Sequence, residues 1–170
     1  MIQNMRYSNL DMDSAIKNNI LREAKFSRDK KERYSLKREW DKSKKKILYI
    51  MLNPSLADDK KDDPTIRRLI SFTKKFNYGG FLVGNIFTTV TPNPKKIDKS
   101  IGISDKNLEE LFKLTNKVDQ IVYAWGNTIE EPQTIRELVS KPKCFGKNFN
   151  GTPKHPLYLP SSSELESFRD

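Results

Sequence analysis

The chain is predicted to fold as an α/β protein, a single three-layer domain with a central, mostly parallel four-stranded sheet between helices. Three observations carry this. The runs 47–52, 81–87 and 119–125 are rich in apolar residues, as strands buried on both faces of a parallel sheet are. Segments between them repeat apolar residues at the i, i+3, i+4 spacing of amphipathic helices. Strand and helix then alternate from residue 47 onward, the order that βαβ units produce. A chain of 170 residues can bury such a core without disulfide or metal staples.

The elements follow in order. Residues 1–46 read as a basic N-terminal segment packed on the core, and residues 47–170 as the α/β domain itself. Residues 1–20 are polar and carry no period. The stretch Arg22 to Lys46 holds twelve basic and five acidic side chains; it reads as one covering segment, part helix or irregular hairpin, pinned by Tyr34, Leu36 and Trp40. Ile47 to Leu52 is the central strand. After the loop Asn53 to Asp62, Asp63 is an N-cap and Pro64 the first residue of a helix reaching about Phe76. Ile66, Leu69, Ile70, Thr73 and Phe76 form its inner stripe, while Arg67, Arg68, Lys74 and Lys75 face out.

Tyr78-Gly79-Gly80 turns the chain into a second strand, Phe81 to Phe87, and the prolines of the next loop stop further pairing. Ser104 caps a helix through Thr115 with Leu108, Leu111 and Phe112 inward. Asp119 to Trp125 is a third strand and Ile129 to Ser140 a further helix. Cys144-Phe145 starts a short fourth strand, and Gly151 to Pro160 is an extended closing segment.

Composition narrows the function classes. The formal net charge is +10, an excess that favours polyanions such as nucleic acid or nucleotides, or else makes a solvated lysine-rich surface. The single cysteine, Cys144, cannot build an intramolecular disulfide framework or a cysteine metal cluster, and points to a cytoplasmic setting. No apolar run reaches the roughly 18 residues of a membrane helix, and no signal-peptide core is present. The phosphate loop, the dinucleotide-binding glycines and the serine-hydrolase elbow are all missing. The one histidine, His155, has no zinc-ligand spacing around it. No cofactor or metal is expected, and a monomer is the default.

Ligands of open α/β sheets bind beyond the carboxyl ends of the strands. The segments that leave those ends are therefore the candidate site. Asn53 can accept from and donate to a water, or close an Asx-turn before Pro54; Ser55 follows. Among Asp58, Asp59, Asp62 and Asp63, Asp58 is the candidate base or Mg²⁺ ligand and Asp63 the helix cap. Asn85 interrupts an apolar strand, so its amide needs partners, either a base edge or neighbouring backbone. His155 lies between Pro153 and Pro156, which restrict the backbone around it. It can contact a phosphate or an oxygen that becomes negative. Arg67, on the outward face of the helix, is a candidate substrate contact.

Met51-Leu52-Asn53-Pro54-Ser55-Leu56-Ala57-Asp58, Asp62-Asp63-Pro64-Thr65-Ile66-Arg67-Arg68, Tyr78-Gly79-Gly80, Asn85, Ala124-Trp125-Gly126 and His155-Pro156-Leu157-Tyr158 together resemble the DUF1643 family over roughly residues 45–160. More distantly, a strand followed by Asn53-Pro54 and, much later, His155-Pro156 is similar to the two active-site motifs of the uracil-DNA glycosylase superfamily. That resemblance implies a parallel sheet between helices and cleavage of an N-glycosidic bond. By it Asn53 would position the attacking water, His155 would stabilise the departing base and Asn85 would read it. By the same resemblance Asp58 is a possible base for that water, Lys154 would hold a phosphate, and Tyr49, Phe87 or Tyr158 would be the aromatic that stacks on the base. Met51-Leu52 and Ser55 replace glycines common in the first motif, and Leu157-Tyr158 replaces a small residue in the second. The expected function is thus a glycosylase-like hydrolase acting on a modified or damaged base in nucleic acid. The alternatives are a nucleic-acid-binding protein without chemistry and a metal-dependent hydrolase of free nucleotides using the Asp58–Asp63 group.

Overall fold

A computed structural model of the chain describes residues 19–170; the expectations for residues 1–18 lie outside the described residues. Within them the architecture is mixed α/β, with one sheet of seven strands and three α-helices. The strands are β1 (Leu21–Phe26), β2 (Arg33–Glu39), β3 (Lys46–Met51), β4 (Gly80–Asn85), β5 (Gln120–Tyr123), β6 (Lys143–Cys144) and β7 (Glu166–Ser167). The helices are α1 (Pro64–Lys75), α2 (Asp105–Thr115) and α3 (Gln133–Leu138). Spatial order is β1-β2-β4-β3-β5-β6-β7.

The expected four-stranded sheet is too small. β4, β3, β5 and β6 pair in parallel, but β1 and β2 extend one edge and β7 the other, all by antiparallel pairing. Residues 21–39, expected as a cover over the core, are two strands of the core sheet itself. Tyr34 and Leu36 are buried as anticipated, and Trp40 packs partly buried against the same cluster. The strand character is hidden in the sequence because arginines, rather than aliphatic residues, occupy buried positions of β2: Arg33 and Arg38 are both buried.

Order within the parallel strands fixes where a ligand can sit. From β3 the chain crosses through α1 to β4 on one side, then returns across β3 through α2 to reach β5 on the other. The carboxyl ends of β3, β4 and β5 therefore flank a point where chain direction reverses, which is where open α/β sheets form their crevice. α1 covers one face with Ile66, Leu69 and Phe72 against Ile47, Tyr49, Phe81 and Val83. α2 and α3 cover the other with Leu111, Leu114 and Ile135 against Leu48, Ile50 and Leu82.

The helix ends follow the sequence signals. Asp63 Oδ1 accepts from the Ile66 N–H at 2.9 Å, and Pro64 opens α1. Ser104 Oγ caps α2 by accepting from the Asn107 N–H at 3.3 Å. Two expected inward faces need correction. In α1, Phe72 is fully buried and stacks on Phe76, whereas Ile70 and Phe76 are only partly buried. In α2, Phe112 is 57% exposed, and Asn107, Glu110 and Leu114 face inward instead. α3 is half the expected length because Pro132 sets its start.

Arg38 ties the hairpin to the loop before α1. Its guanidinium is fully buried and donates from Nε to Asp62 Oδ1 at 2.7 Å and from Nη2 to the carbonyls of Asp58 and Lys61 at 2.6 and 3.2 Å. Arg22 reaches the other Asp62 oxygen at 3.1 Å. A lysine has a single ammonium and cannot span these acceptors. Arg38→Lys is expected to lower stability by about 1–3 kcal/mol, the cost of leaving buried groups unpaired. Urea denaturation reads it as a lower midpoint at unchanged m.

Candidate functional site

A cavity of about 450 Å³ lies at the carboxyl ends of β3, β4 and β5 on the α1 face, within the usual range of small-molecule sites. Met51, Leu52, Ile66, Val83 and Trp125 make apolar walls, each buried. His155, Asn127, Thr128 and Tyr158 form a solvent-facing rim. A second groove, of about 520 Å³, opens between β1, β2 and α2. Its Lys25, Lys37 and Lys46 amines are already paired with Glu110, Glu39 and Glu39.

Asn85, the last residue of β4, is the sharpest feature of the cavity. Alternation along β4 puts it on the same face as Phe81 and Val83. It is 1% exposed, and neither its Oδ1 nor its Nδ2 has a hydrogen-bond partner among the described residues. Its backbone is held from the opposite face, where Asn107 Nδ2 donates to the carbonyls of Asn85 and Ile86 at 2.7 and 3.1 Å. A rigidly placed amide with a free donor and a free acceptor matches a planar ligand edge that offers the reverse pair.

Asn53 leaves β3 into the cavity wall, but its donors are spent. Nδ2 bonds the carbonyls of Pro54 and Thr91, both at 2.9 Å, clamping the loop after β3 to the loop after β4. Because both partners are carbonyls, the amide orientation is forced and Oδ1 is the atom left free. The expectation that Asn53 both accepts and donates to a water is therefore corrected: it can only accept. Pro54 is buried outside the cavity lining and contributes its carbonyl to this clamp. Ser55 does line the cavity and donates its hydroxyl to Asp63 Oδ2.

Asp58 is not in the cavity. Its Oδ1 accepts from the backbone N–H groups of Lys60 and Lys61 at 2.8 and 2.7 Å, and those bonds hold its pKa below the usual carboxylate value. That chemistry makes a loop brace and a poor base. Asp62 is taken by Arg38 and Arg22. The carboxylate that lines the cavity is Asp63, although it caps α1 as well. Among the described residues no three His, Cys, Asp or Glu side chains converge as metal ligands.

His155 sits at the rim beside Gly126, whose φ of +87° turns the chain after β5, a conformation that favours glycine. Nδ1 accepts from the Leu157 N–H at 3.2 Å, which leaves the proton of the neutral ring on Nε2. The residue keeps contact with solvent, yet the protein around it withholds water from the ring. That desolvation lowers its pKa, against a smaller upward pull from the Asp63 charge. At neutral pH the group is thus an uncharged Nε2–H donor.

The sign for stability follows. A histidine with a depressed folded pKa favours folding above its unfolded value of about 6.5, and this contribution is lost as pH falls through the folded value. Since the chain has one histidine, His155→Gln is expected to flatten the fall in stability just below pH ~6.5. Chemical denaturation of both proteins across that range measures it; parallel curves would contradict the assignment.

Other expected contacts fall elsewhere. Arg67 is exposed and donates to the Asp62 carbonyl at 2.6 Å. Lys154 lies along Gly146 outside the lining. Tyr49 is locked in the core with its hydroxyl on Thr73 at 2.9 Å, and Phe87 is packed with Trp125 and Ile97, so neither can stack on a ligand here. Tyr158 does line the mouth and is 93% exposed.

Sequence reasoning missed Arg33. β2 runs antiparallel to β4, so its first residue arrives at the carboxyl end of the parallel strands. Lys25 pairs with Ser35 but Phe26 with Arg33, leaving Tyr34 as an extra residue. That bulge turns Arg33, instead of Tyr34, onto the face of Leu36 and Arg38. Tyr34 points the other way, beneath Lys106 of α2. No motif signals this; only the pairing register does.

Fold and cavity together define an α/β protein with a polar-lined crevice at the strand ends on the α1 face. A family model described as a protein of unknown function, DUF1643, matches residues 33–157, and the chain belongs to that family. The matched stretch includes Arg33, Asn53, Asp63, Asn85 and His155. No curated protein and no solved structure matches the chain. No described helix is long and apolar enough to cross a membrane.

Proposed function

We propose that the chain is a glycosylase-like hydrolase that cleaves the N-glycosidic bond of a modified or damaged base in nucleic acid. The observation that carries this reading is the buried, unpartnered amide of Asn85 in a cavity whose rim holds the Nε2–H of His155. Asn85 reads the base edge. As the glycosidic bond breaks, negative charge develops on the departing base, and a fixed neutral donor such as His155 stabilises it without reorganising. Asn53 Oδ1 accepts from the attacking water. Asp63, which already accepts from Ser55, replaces Asp58 as the carboxylate available to take the water's proton.

The resemblance to the uracil-DNA glycosylase superfamily supports the same roles, and a parallel core between helices is compatible with that fold. Nucleic acid is the partner in this reading. Lys95 and Lys96 are exposed directly beyond Pro94 of the cavity wall and suit phosphate contacts that position the strand. A flipped or unpaired nucleotide would enter from the rim.

One observation favours a second reading, a nucleic-acid-binding protein without chemistry. Asp63 accepts from Ser55 and Ala57 through one oxygen and from Ile66 through the other, so its capacity as a base is divided. The metal-dependent alternative loses its ligands, because Asp58 braces its own loop and Asp62 is paired with arginines.

The test is base release from single- and double-stranded DNA and RNA carrying normal, deaminated, alkylated and phage-type bases, with and without Mg²⁺. The glycosylase reading expects free base from wild type and at least a ~10²-fold slower rate from Asn53→Ala, in line with the loss of a positioning group. Tight, salt-dependent binding with no base released from any substrate would favour the second reading.

A further inference from the structure

We propose that Arg33, buried in the cavity lining, makes an anion subsite there, so that the ligand carries an anionic oxygen in addition to the edge that Asn85 reads. The nucleobase part of this inference rests on the reading above; the anion part stands on Arg33 alone. Arg33 is 2% exposed and lines the same cavity as Asn85. Nη1 donates to the Ala57 carbonyl at 2.6 Å, while Nε is buried with no partner. No carboxylate of the described residues lies within ion-pair distance of it.

Arg38 and Arg169 differ in having carboxylate partners, and Arg68, whose Nε is also unpartnered, lies outside the cavity lining and donates to Ser161 and the Leu159 carbonyl. Arg38 has Asp62 and backbone carbonyls, and Arg169 has Glu131 and three carbonyls. Arg33 meets only through-space attraction from Asp63 and Asp58, opposed by repulsion from Arg38; the Asp63 oxygens serve Ser55, Ala57 and Ile66, and Asp58 Oδ1 serves its own loop. Burial pushes its pKa down to about 10, which leaves it cationic at neutral pH. A desolvated, unpaired cation is strongly unfavourable unless an anion completes it, and a planar fork of N–H donors suits a carboxylate or a phosphate. The β-bulge that aims Arg33 into the cavity positions it for that contact.

Two sources supply the anionic oxygen: a carboxylate substituent on the base, or the phosphate of a free nucleotide. The experiment uses the full chain and calorimetric titration with uracil, 5-carboxyuracil, cytosine, 5-carboxycytosine, the two nucleoside monophosphates and inorganic phosphate. Wild type, Arg33→Gln and Arg33→Lys are compared, with circular dichroism confirming that each is folded. The expected result is at least tenfold tighter binding of an anionic probe than of its neutral parent in wild type. That advantage vanishes in Arg33→Gln and is partly kept in Arg33→Lys. Preference for the carboxylated base identifies a base-borne anion, and preference for the monophosphate identifies a nucleotide phosphate.

Neutral bases that bind as tightly as their anionic partners would overturn the subsite while leaving the nucleobase reading intact. An advantage that survives Arg33→Gln would overturn it as well. Arg33-dependent binding of inorganic phosphate, with no base preferred over it, would uphold the subsite and remove the nucleobase reading. No binding of any probe to the folded wild type would remove both.

Discussion

Replacing Asn85 with leucine is expected to weaken ligand binding by roughly 10³-fold while leaving the unliganded protein at least as stable as wild type. The binding estimate follows from two polar groups on the ligand, a donor and an acceptor, each left buried and unpaired at about 2 kcal/mol. The stability expectation has the opposite sign for the same reason. Neither polar atom of Asn85 is satisfied by the described protein, although the residue is 1% exposed. Leucine has nearly the same shape and no polar atoms, so the unliganded fold should gain about 1 kcal/mol. An asparagine kept for its own fold would behave otherwise, because its loss would destabilise the protein. Thermal denaturation and ligand titration of the one variant therefore separate a recognition amide from a structural one. Asn85→Asp refines the result: it exchanges the donor for a second acceptor and should shift preference toward ligands that present two donors.

His155→Gln is expected to slow base release by about 10²–10³-fold with little change in ligand affinity, as removal of a single donor to a developing negative charge does. Glutamine can still fill the rim, but its amide is a longer, unanchored donor. The wild-type ring is held by the bond from the Leu157 N–H to Nδ1, and Pro156 stiffens the chain beside it. Protonation makes Nδ1 a donor and breaks that bond. Wild-type activity should therefore fall as pH drops through the lowered histidine pKa, and the variant should lose this acid limb. A kcat that falls while KM holds identifies action on the transition state; a rise in KM alone would mean His155 serves binding.

Much of this arrangement was legible in the residues, for physical reasons. β3 to β5 stand out because both of their faces are buried, and α1 and α2 because their caps, Asp63 and Ser104, are side chains with one local job. Asn53, Ser55 and Asn85 were traceable to the cavity because strand ends in such sheets converge, and His155 because the prolines on both sides of it restrict its backbone; Tyr158 entered through the family resemblance. Properties set by pairing register were not legible. β1 and β2 are rich in charged residues and bury two arginines where aliphatic residues would signal a strand, so the stretch reads as a cover pinned to the core until β4 is seen beside it. Arg33 depends further on a one-residue bulge. Among the four clustered aspartates, composition cannot tell which oxygens bond their own loop, as Asp58 does, which pair with arginine, as Asp62 does, and which face a cavity, as Asp63 does. Phe112 was misplaced because its helix turns Asn107 and Glu110 inward to hold β4 and Lys25.

The central claim is that Asn85 presents an unpaired amide to a nucleobase. The most direct measurement is the side-chain amide resonance of Asn85 in isotope-labelled protein, assigned by its disappearance in Asn85→Leu, during titration with free bases and their carboxylated forms. The account predicts a saturable downfield shift of the Asn85 Nδ2 protons with at least one of these ligands, while the Asn107 amide, already bonded to backbone, stays nearly fixed. No movement of the Asn85 signal with any of them, or shifts confined to residues away from the cavity, would contradict it.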